Sequence, residues 1–591
     1  MGVPGFFSWL IRNKNKLGSK HIINETIKYK VKYLMLDTNC LLHPCVNNII
    51  EKYKLNQLLL NSDKFIREQL EEHIWNKIEN YIEDMLKKIN PENLLIAIDG
   101  VAPMGKILQQ RQRRYKYLYD KQIKIDTKND IKCIKQEDGI ELPEIPISSI
   151  ELTPGTDYME GIHKRMEKFV EKINKKTKTK CIYSSYHEEG EGEHKILQYI
   201  RKNLKDNLTD TIVIYGLDAD LLFLSLGIGY TNNLYIMREK QIFNNNEVDL
   251  DAEIQYNYVE IKQLHKLISN LGISTNDFIV LCYLIGNDFI PSLLTIDVKK
   301  GGLDKIFTAY ENLLKKLKLE QNDEHGNIKT NLLIKQDIIN SKSSLEYIIN
   351  DVLLVELFKE LIWTEKHIWK NINRENYNNH NNNNNHNHNN KKNKEIEKEN
   401  EKMNTMNKFK SGTTHNTNFL DKIEFSSDIE YYSYYLGIEC ISIDNLIIIR
   451  MVKDYITTIT WCINYYLKDC ISWSHGYNFI IAPLIKDIIK YYPNRIEIKR
   501  NSRELNPVEQ LILAIPPYTY KYVIEKSIIK EIKKDKQIGY MFPESYDIDI
   551  NKELIYWKCQ VKIPMVDYHE YIKSIKNINI NNQKNLIINK I

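Results

Sequence analysis

Three times in the first 220 residues an unbroken apolar run of strand length stops on aspartate: KYLMLDTN (residues 32–39), NLLIAIDG (93–100) and TIVIYGLDAD (211–220). Runs that do not alternate with polar residues belong to strands covered on both faces, the habit of parallel sheets. An aspartate at such a strand end is held rigidly yet faces the crevice that an open parallel sheet leaves at its carboxyl edge. The expected fold is therefore α/β: a central, mostly parallel sheet with a carboxylate cluster at the strand C-terminal ends, and a mainly helical second module packed against it.

Seven carboxylates occupy this kind of position. Asp37 and Asp99 end the first two runs, and Asp218 and Asp220 end the third, two residues apart, so that strand periodicity places both on one face. Glu191 and Glu193 flank Gly192 in EEGEGEHKILQYIR (188–201), just before a helical pattern, where the helix start favours negative charge. Asp288 lies in VLCYLIGNDFIP (280–291), beyond an apolar run that stops at Gly286. Taken singly, each reads equally well as a helix cap or turn residue. Together they would repel one another unless cations were bound. Two hard divalent ions, Mg²⁺ or Mn²⁺, suit such a donor set, one to activate a water and one to stabilise a leaving oxygen, roughly 3.5–4 Å apart.

The segment after Asp99 is basic. Lys106, Gln110, Arg113 and Arg114 fall at i, i+4, i+7 and i+8, one face of a helix that can surround a single anion. A solvated basic face is the ordinary reading of such a run, but Gln110 interrupts the charge and Gly105 stands directly before Lys106. His43, beside Pro44, reads by itself as a core or turn histidine.

At 591 residues the chain exceeds a single core and should form two or three packed modules. A formal net charge of +5 gives no global basic field, so any binding of nucleic acid must be local. Nine cysteines without a C-x-x-C pair argue against a zinc knuckle or a disulfide framework and for a reducing compartment. With no long apolar run and no signal-peptide core, the expected protein is soluble and intracellular, without a membrane partner, cytoplasm and nucleus not being separated. Phe6 breaks the myristoylation pattern. Residues 371–417 are dominated by Asn and Lys with hardly an apolar side chain, a composition expected to stay disordered and to separate an N-terminal module (1–370) from a second one (418–591). The second module's aromatics, among them Tyr431, Tyr432, Trp461, Tyr465 and Tyr466, are expected to be core.

The order and wording of several segments resemble one family. MGVPGFFSWL, LDTNCLLHPC, AIDGVAPMGKILQQRQRRYK, ELTPGTDYM, EGEGEHKILQYIR, YGLDADLLFLSL, IGNDFIP, CISWSHGYNFIIAP, NPVEQLILAIPP and FPESYDIDIN together resemble the XRN family of 5′-to-3′ exoribonucleases, from Met1 to about Asp567 apart from the insertion. The resemblance implies that all seven carboxylates are metal-binding acids. It implies that Lys106, Gln110, Arg113 and Arg114 form a pocket for a 5′-monophosphate, although Met104 and Gly105 stand where the family usually has Arg-Ala. It also implies that His43 and a downstream tryptophan stack on the 5′-terminal base. Trp473 is the candidate, in a Ser-Trp-Ser-His segment where a second tryptophan is expected at or near His475. The implied enzyme degrades single-stranded RNA with a 5′-monophosphate to nucleoside 5′-monophosphates, lacks the long C-terminal extension of the cytoplasmic paralogue, and has no protein partner legible here. A 5′-flap DNA nuclease shares such a carboxylate-rich core, but FPESYDIDIN and NPVEQLILAIPP speak for the exoribonuclease, and no helix-hairpin-helix glycine pattern is evident. A catalytically idle RNA-binding scaffold would be expected to have lost one or more of the seven acids, and none is lost.

Overall fold

The computed structural model describes residues 6–13, 22–56, 63–135, 150–204, 209–228, 233–240, 254–298, 301–317, 332–338, 345–365, 427–436, 445–500, 502–549 and 560–578. The Asn-rich insertion at 371–417 lies outside the described residues.

The central sheet has seven strands: β1 (Ile23–Asn24), β2 (Tyr33–Asp37), β3 (Asn93–Ala97), β4 (Lys180–Ser184), β5 (Ile212–Tyr215), β6 (Leu234–Glu239) and β7 (Tyr256–Glu260), in the order β1-β7-β6-β5-β2-β3-β4. Strands β6, β5, β2, β3 and β4 run parallel, and β7 and β1 finish one edge antiparallel. From β2 the chain moves outward to β3 and β4, then returns to β5 on the other side. The crevice at the carboxyl ends of β3, β2 and β5 is thus a topological switch point.

Nine helices of the first 283 residues matter here: α1 (Phe6–Asn13), α2 (Asn39–Asn56), α3 (Asp63–Ile89), α4 (Met104–Lys135), α5 (Asp157–Lys176), α6 (Gly192–Asn203), α7 (Asp220–Leu226), α8 (Ile261–Asn270) and α9 (Thr275–Tyr283). Leu34, Leu36, Leu94, Ile96 and Val213 point to the layer built from α2, α3 and α5, whereas Met35, Leu95, Ala97, Ile212 and Ile214 point to the layer containing α1, α6, α7, α8 and α9. Both faces being covered, the strands carry no polar side, which is why their sequences show unbroken apolar runs.

The downstream chain attaches in two places. The Asn445–Leu467 helix buries Met451, Tyr455, Trp461, Tyr465 and Tyr466 in the same core as α6, α7 and α9. The described residues of 502–549 and 560–578 instead build a core around the start of α4, where Ala102, Met104 and Ile107 meet Val508, Leu511 and Ile512. Arg111 on α4 belongs to this joint and not to solvent: fully buried, it donates from Nη1 to the Leu513 carbonyl at 2.8 Å and from Nη2 to the Met541 carbonyl. Part of the basic run is therefore structural.

Two local expectations change. The Val280–Ile285 run forms the end of α9 and the turn after it, not a strand, and β5 stops at Tyr215, so Asp218 and Asp220 do not share a pleated face. Among the described residues no helix is long and apolar enough to cross a membrane, and the described cysteines are free thiols.

Candidate active site

Each acid owes its place to a chain reversal at the sheet's carboxyl edge. Asp37 is the last residue of β2 and Asp99 lies just beyond β3. Glu191 occupies the N-cap position of α6, Glu193 its first turn, and Asp220 is the first residue of α7. Asp288 follows the turn at Gly286, whose φ of 89° suits glycine. Asp218 sits between β5 and α7, in a turn braced by the Arg238 guanidinium, which donates to the carbonyls of Leu217 and of Asp218. The turn and the helix start, rather than strand pleating, bring Asp218 and Asp220 into one cluster.

Gly192 shows how tightly this edge is packed. Its backbone N–H donates to Asp99 Oδ1 at 2.6 Å. A Cβ on Gly192 would lie 2.8 Å from Asp37 Oδ1, 2.9 Å from the Ala97 carbonyl oxygen and 3.4 Å from Asp99 Oδ1. Only a residue without a side chain lets the positive end of α6 press this close to two carboxylates. Asn39 completes the support, donating from Nδ2 to Asp99 Oδ2 at 2.8 Å and accepting from the Asp99 N–H at 3.2 Å, while the Cys40 thiol donates to Asp37 Oδ2 at 2.9 Å.

Burial dominates the electrostatics. It raises Asp37 to about 8, helped by Asp99, and raises Asp99 to about 6, helped by Glu191. It raises Asp220 to about 7, helped by Asp288, and pushes Glu193 well above the usual carboxylate range, with Glu191 adding to it. Asp288 runs the other way: although burial opposes it, Lys106 and Arg113 hold it below that range. Asp37 Oδ1, Glu193 Oε2 and Asp220 Oδ1 are buried without a hydrogen-bond partner among the described residues. Orphaned buried carboxylate oxygens are costly in a dry site, and an all-oxygen set of this kind fits hard divalent cations.

The cluster contains two residues that the sequence pattern did not single out. Ligand atoms of Glu191, Glu193 and His194 all lie within 4.8 Å of one another, and the His194 ring stacks on Tyr465 with centroids 3.8 Å apart. Tyr465 in turn donates its hydroxyl to Glu191 Oε2 at 2.9 Å. The available signal was chemical: a tyrosine buried on a largely apolar helix needs a partner for its hydroxyl.

The basic face of α4 adjoins the acids. Lys106 reaches into the acid cluster. Its Nζ lies 2.7 Å from Glu191 Oε1 and 2.9 Å from Asp288 Oδ2, with Arg113 Nη2 3.8 Å from the same Asp288 oxygen. Gln110 Oε1 and Arg114 Nη1 are buried with no partner among the described residues. Burial, then the neighbouring Arg113, lowers Arg114 to about 10. His43, on α2, is lowered to about 4 by burial and then by Arg114 and Arg113, which sets it near both guanidinium groups. Trp473 reaches α4 through its backbone: its carbonyl accepts from the Met104 N–H at 2.9 Å, and the His475 carbonyl accepts from the Gly105 N–H at 2.9 Å. The ring of His475 is spoken for elsewhere, with Nε2 3.0 Å from Thr458 Oγ1. The glycine at 105 has a local reason, since a Cβ there would approach Phe289 Cδ1 to 3.1 Å.

A family model described as XRN 5′-3′ exonuclease N-terminus matches residues 1–240, and one described as Xrn1 helical domain matches residues 270–585. The chain belongs to the XRN family. Its relatives include a Schizosaccharomyces pombe protein named 5′-3′ exoribonuclease 1, 24% identical over 97% of this chain and 48% of the relative. Proteins of the same name from Homo sapiens and Saccharomyces cerevisiae are each 25% identical over 98% of this chain, covering 34% and 43% of their own lengths. This XRN chain thus spans less than half the length of those three relatives. Six of the seven acids and all four pocket residues fall in the first XRN match, whereas Asp288, Tyr465 and Trp473 fall in the second.

Proposed function

We propose that this chain is a metal-dependent 5′-to-3′ exoribonuclease acting on single-stranded RNA with a 5′-monophosphate and releasing nucleoside 5′-monophosphates. The observation that carries the reading is one of adjacency. A buried acid cluster with orphaned oxygens, on Asp37, Glu193 and Asp220, borders a basic face whose Arg114 Nη1 donor is likewise without a partner among the described residues. The relatives' names, 5′-3′ exoribonuclease, point the same way.

Asp37, Asp99, Glu191, Glu193, Asp218, Asp220 and Asp288 would hold two divalent cations, Mg²⁺ or Mn²⁺. When bound, such ions neutralise the scissile phosphodiester and the charge on the attacking and leaving oxygens. The rest of the work belongs to side chains. Arg113, Arg114, Gln110 and Lys106 grip the terminal phosphate with charge-assisted hydrogen bonds. His43 and Trp473 stack on the first base, a contact worth roughly 1–3 kcal/mol that any base satisfies. Holding the phosphate and the base fixes the first phosphodiester over the acids, so cutting proceeds one nucleotide at a time from the 5′ end. If these residues close around one phosphate, a cap or triphosphate is excluded. The modules at 1–370 and 418–591 act as one unit in this reading, supported by the Tyr465 bond to Glu191 and by the shared core.

The test is digestion of one 3′-labelled RNA bearing a 5′-monophosphate, hydroxyl or triphosphate, with Mg²⁺ or EDTA, by wild type and Arg114→Ala. Fast mononucleotide release from the monophosphate form, with only residual release from the hydroxyl form, both abolished by EDTA, is expected. A charge-assisted contact is worth about 1.5–3 kcal/mol, so Arg114→Ala should slow the monophosphate substrate roughly 10- to 100-fold more than the hydroxyl one. Equal slowing of both refutes the pocket, and preferential cutting of a 5′-flap DNA duplex refutes the substrate class.

A further inference from the structure

Lys106 carries a positive charge inside the acid cluster, and its position leaves it two possible partners. Its side chain is only 8% exposed and its ammonium bridges Glu191 and Asp288, which come from different elements, at 2.7 and 2.9 Å. The backbone beneath it cannot retreat. The first turn of α4 is tied by the Met104 and Gly105 N–H groups to the carbonyls of Trp473 and His475, both at 2.9 Å, and the Lys106 N–H donates to the Pro103 carbonyl at 2.9 Å. Any change at this site is therefore a swing of the lysine's flexible stem.

The same helix carries two guanidinium groups whose donors suit an anion. Arg114 Nη1 is a buried donor without a partner among the described residues, and Arg113 stands 3.8 Å from Asp288, sharing with Lys106 a carboxylate that one cation could satisfy. The local arithmetic of charge then has two solutions. Without metal, the ammonium is the nearest compensation for Glu191 and Asp288. With divalent cations on those oxygens, the same ammonium would be a like charge a few ångströms away and would be repelled.

We propose that Lys106 is an exchangeable counter-ion: it lies in the acid cluster while metal is absent and turns to the 5′-phosphate when metal enters, so that metal loading and capture of the RNA end strengthen each other. This rests on the proposed function, since it takes the acids as the metal site and the α4 face as the phosphate pocket. It goes beyond that reading in making one residue the link between the two. Because coupling of binding equilibria is reciprocal, phosphate must tighten metal by the factor by which metal tightens phosphate, typically 5- to 150-fold.

The experiment is calorimetric titration of Mn²⁺ into metal-stripped wild type and Lys106→Met, without nucleotide and with saturating adenosine 5′-monophosphate or adenosine. In wild type, adenosine 5′-monophosphate should tighten Mn²⁺ binding about tenfold and adenosine should leave it unchanged. Lys106→Met should bind Mn²⁺ about tenfold tighter than wild type without nucleotide, its competitor having been removed, and gain nothing further from the nucleotide. Mn²⁺ binding in Lys106→Met that is equal to or weaker than wild type overturns the proposal. Should the variant not fold without metal, it is purified with Mn²⁺ and challenged with a chelator: release slower than wild type supports the exchange, and equal or faster release overturns it. None of these readouts needs RNA cleavage. A protein that shows the coupling but cuts no RNA sinks the exoribonuclease reading alone, and an active enzyme without the coupling sinks this inference alone.

Discussion

Gly192→Ala removes no acid, no basic residue and no charge, yet it should slow the proposed cleavage about tenfold. The added Cβ would sit 2.8 Å from Asp37 Oδ1 and 2.9 Å from the Ala97 carbonyl oxygen, closer than side-chain carbons approach in folded proteins. Two effects of opposite sign follow. Alanine is favoured over glycine in a helix by about 0.5–1 kcal/mol, and overpacking at a rigid site costs about 1–3 kcal/mol. The second wins, leaving a net loss of about 1 kcal/mol, small enough for the protein to stay folded. The change in geometry matters more. Ordinary van der Waals contact requires a shift of roughly 0.5 Å between the start of α6 and Asp37, which moves Glu191 and Glu193 and stretches the 2.6 Å bond from Gly192 N–H to Asp99. Since a misplacement of about 1 Å at a reacting centre can cost a hundredfold, half of that should cost about tenfold. The assay is single-turnover decay of 5′-monophosphorylated RNA at saturating Mg²⁺, alongside a thermal melt. Gly161→Ala is the control: its Cβ would meet nothing within 4 Å, so it should raise the melting temperature slightly and leave the rate alone. A Gly192→Ala rate within twofold of wild type would refute the claim that close packing at this edge sets the acid geometry.

Tyr465→Phe keeps the ring against His194 and removes only the donor to Glu191, a hydrogen bond to a charged acceptor worth about 1.5–3 kcal/mol. Mn²⁺ affinity and single-turnover rate should both fall about tenfold with RNA affinity unchanged, and an unaltered Mn²⁺ titration would show that Tyr465 is merely core. Glu365 gives a pH signature away from the acids: burial raises its carboxyl to about 7, against N–H donors from Ile485 at 2.6 Å and Lys486 at 3.1 Å. A raised carboxyl favours the fold while protonated, so its contribution is complete below about 4.5 and is lost as pH climbs through about 7, at most about 3 kcal/mol. Melting at saturating Mg²⁺ should therefore drop between pH 5 and pH 8 in wild type and flatten in Glu365→Gln, and parallel curves for the two would remove Glu365 as the cause.

What could be read from the sequence followed from burial. A strand covered on both faces has no polar period, so β2, β3 and β5 announced themselves as apolar runs, and the aspartates at or beyond their ends announced the crevice. The failures also have physical causes. A short apolar run does not reveal whether it is a strand or a buried helix, and every residue of α9 from Asp277 to Tyr283 is buried, so its sequence looks like a strand. The third run continued into a turn at Gly216, where a Cβ would stand 2.5 Å from Leu221 Cδ2; α7 packs so closely there that Asp220 begins a helix instead of extending a strand. Helical spacing placed Lys106 correctly on the face of α4, but spacing says nothing about which way a four-carbon stem swings. Arg111, in the same basic run, went to the carbonyls of Leu513 and Met541, partners some 400 positions away that no local pattern encodes.

That long-range dependence bears on how the site can be complete at all. Residues 1–240 contain six of the acids and the whole basic face, so by motif alone they look self-sufficient. Within them, however, Glu191 would lack its Tyr465 donor, Lys106 would lose Asp288, and the first N–H groups of α4 would lose the Trp473 and His475 carbonyls. Each loss removes a partner from a buried polar group, in a place where three carboxylate oxygens already lack partners among the described residues. The same contacts work in reverse: the Lys468 carbonyl at the end of the Asn445–Leu467 helix is held by Gln198 and Arg201 of α6, at 2.7 and 2.6 Å. The helix that presents Glu191 and Glu193 at its start thus anchors, at its far end, the helix that carries Tyr465 back to Glu191. Acid geometry and the docking of the downstream chain are two ends of one rigid element, so a perturbation of either reaches the other without any further conformational step.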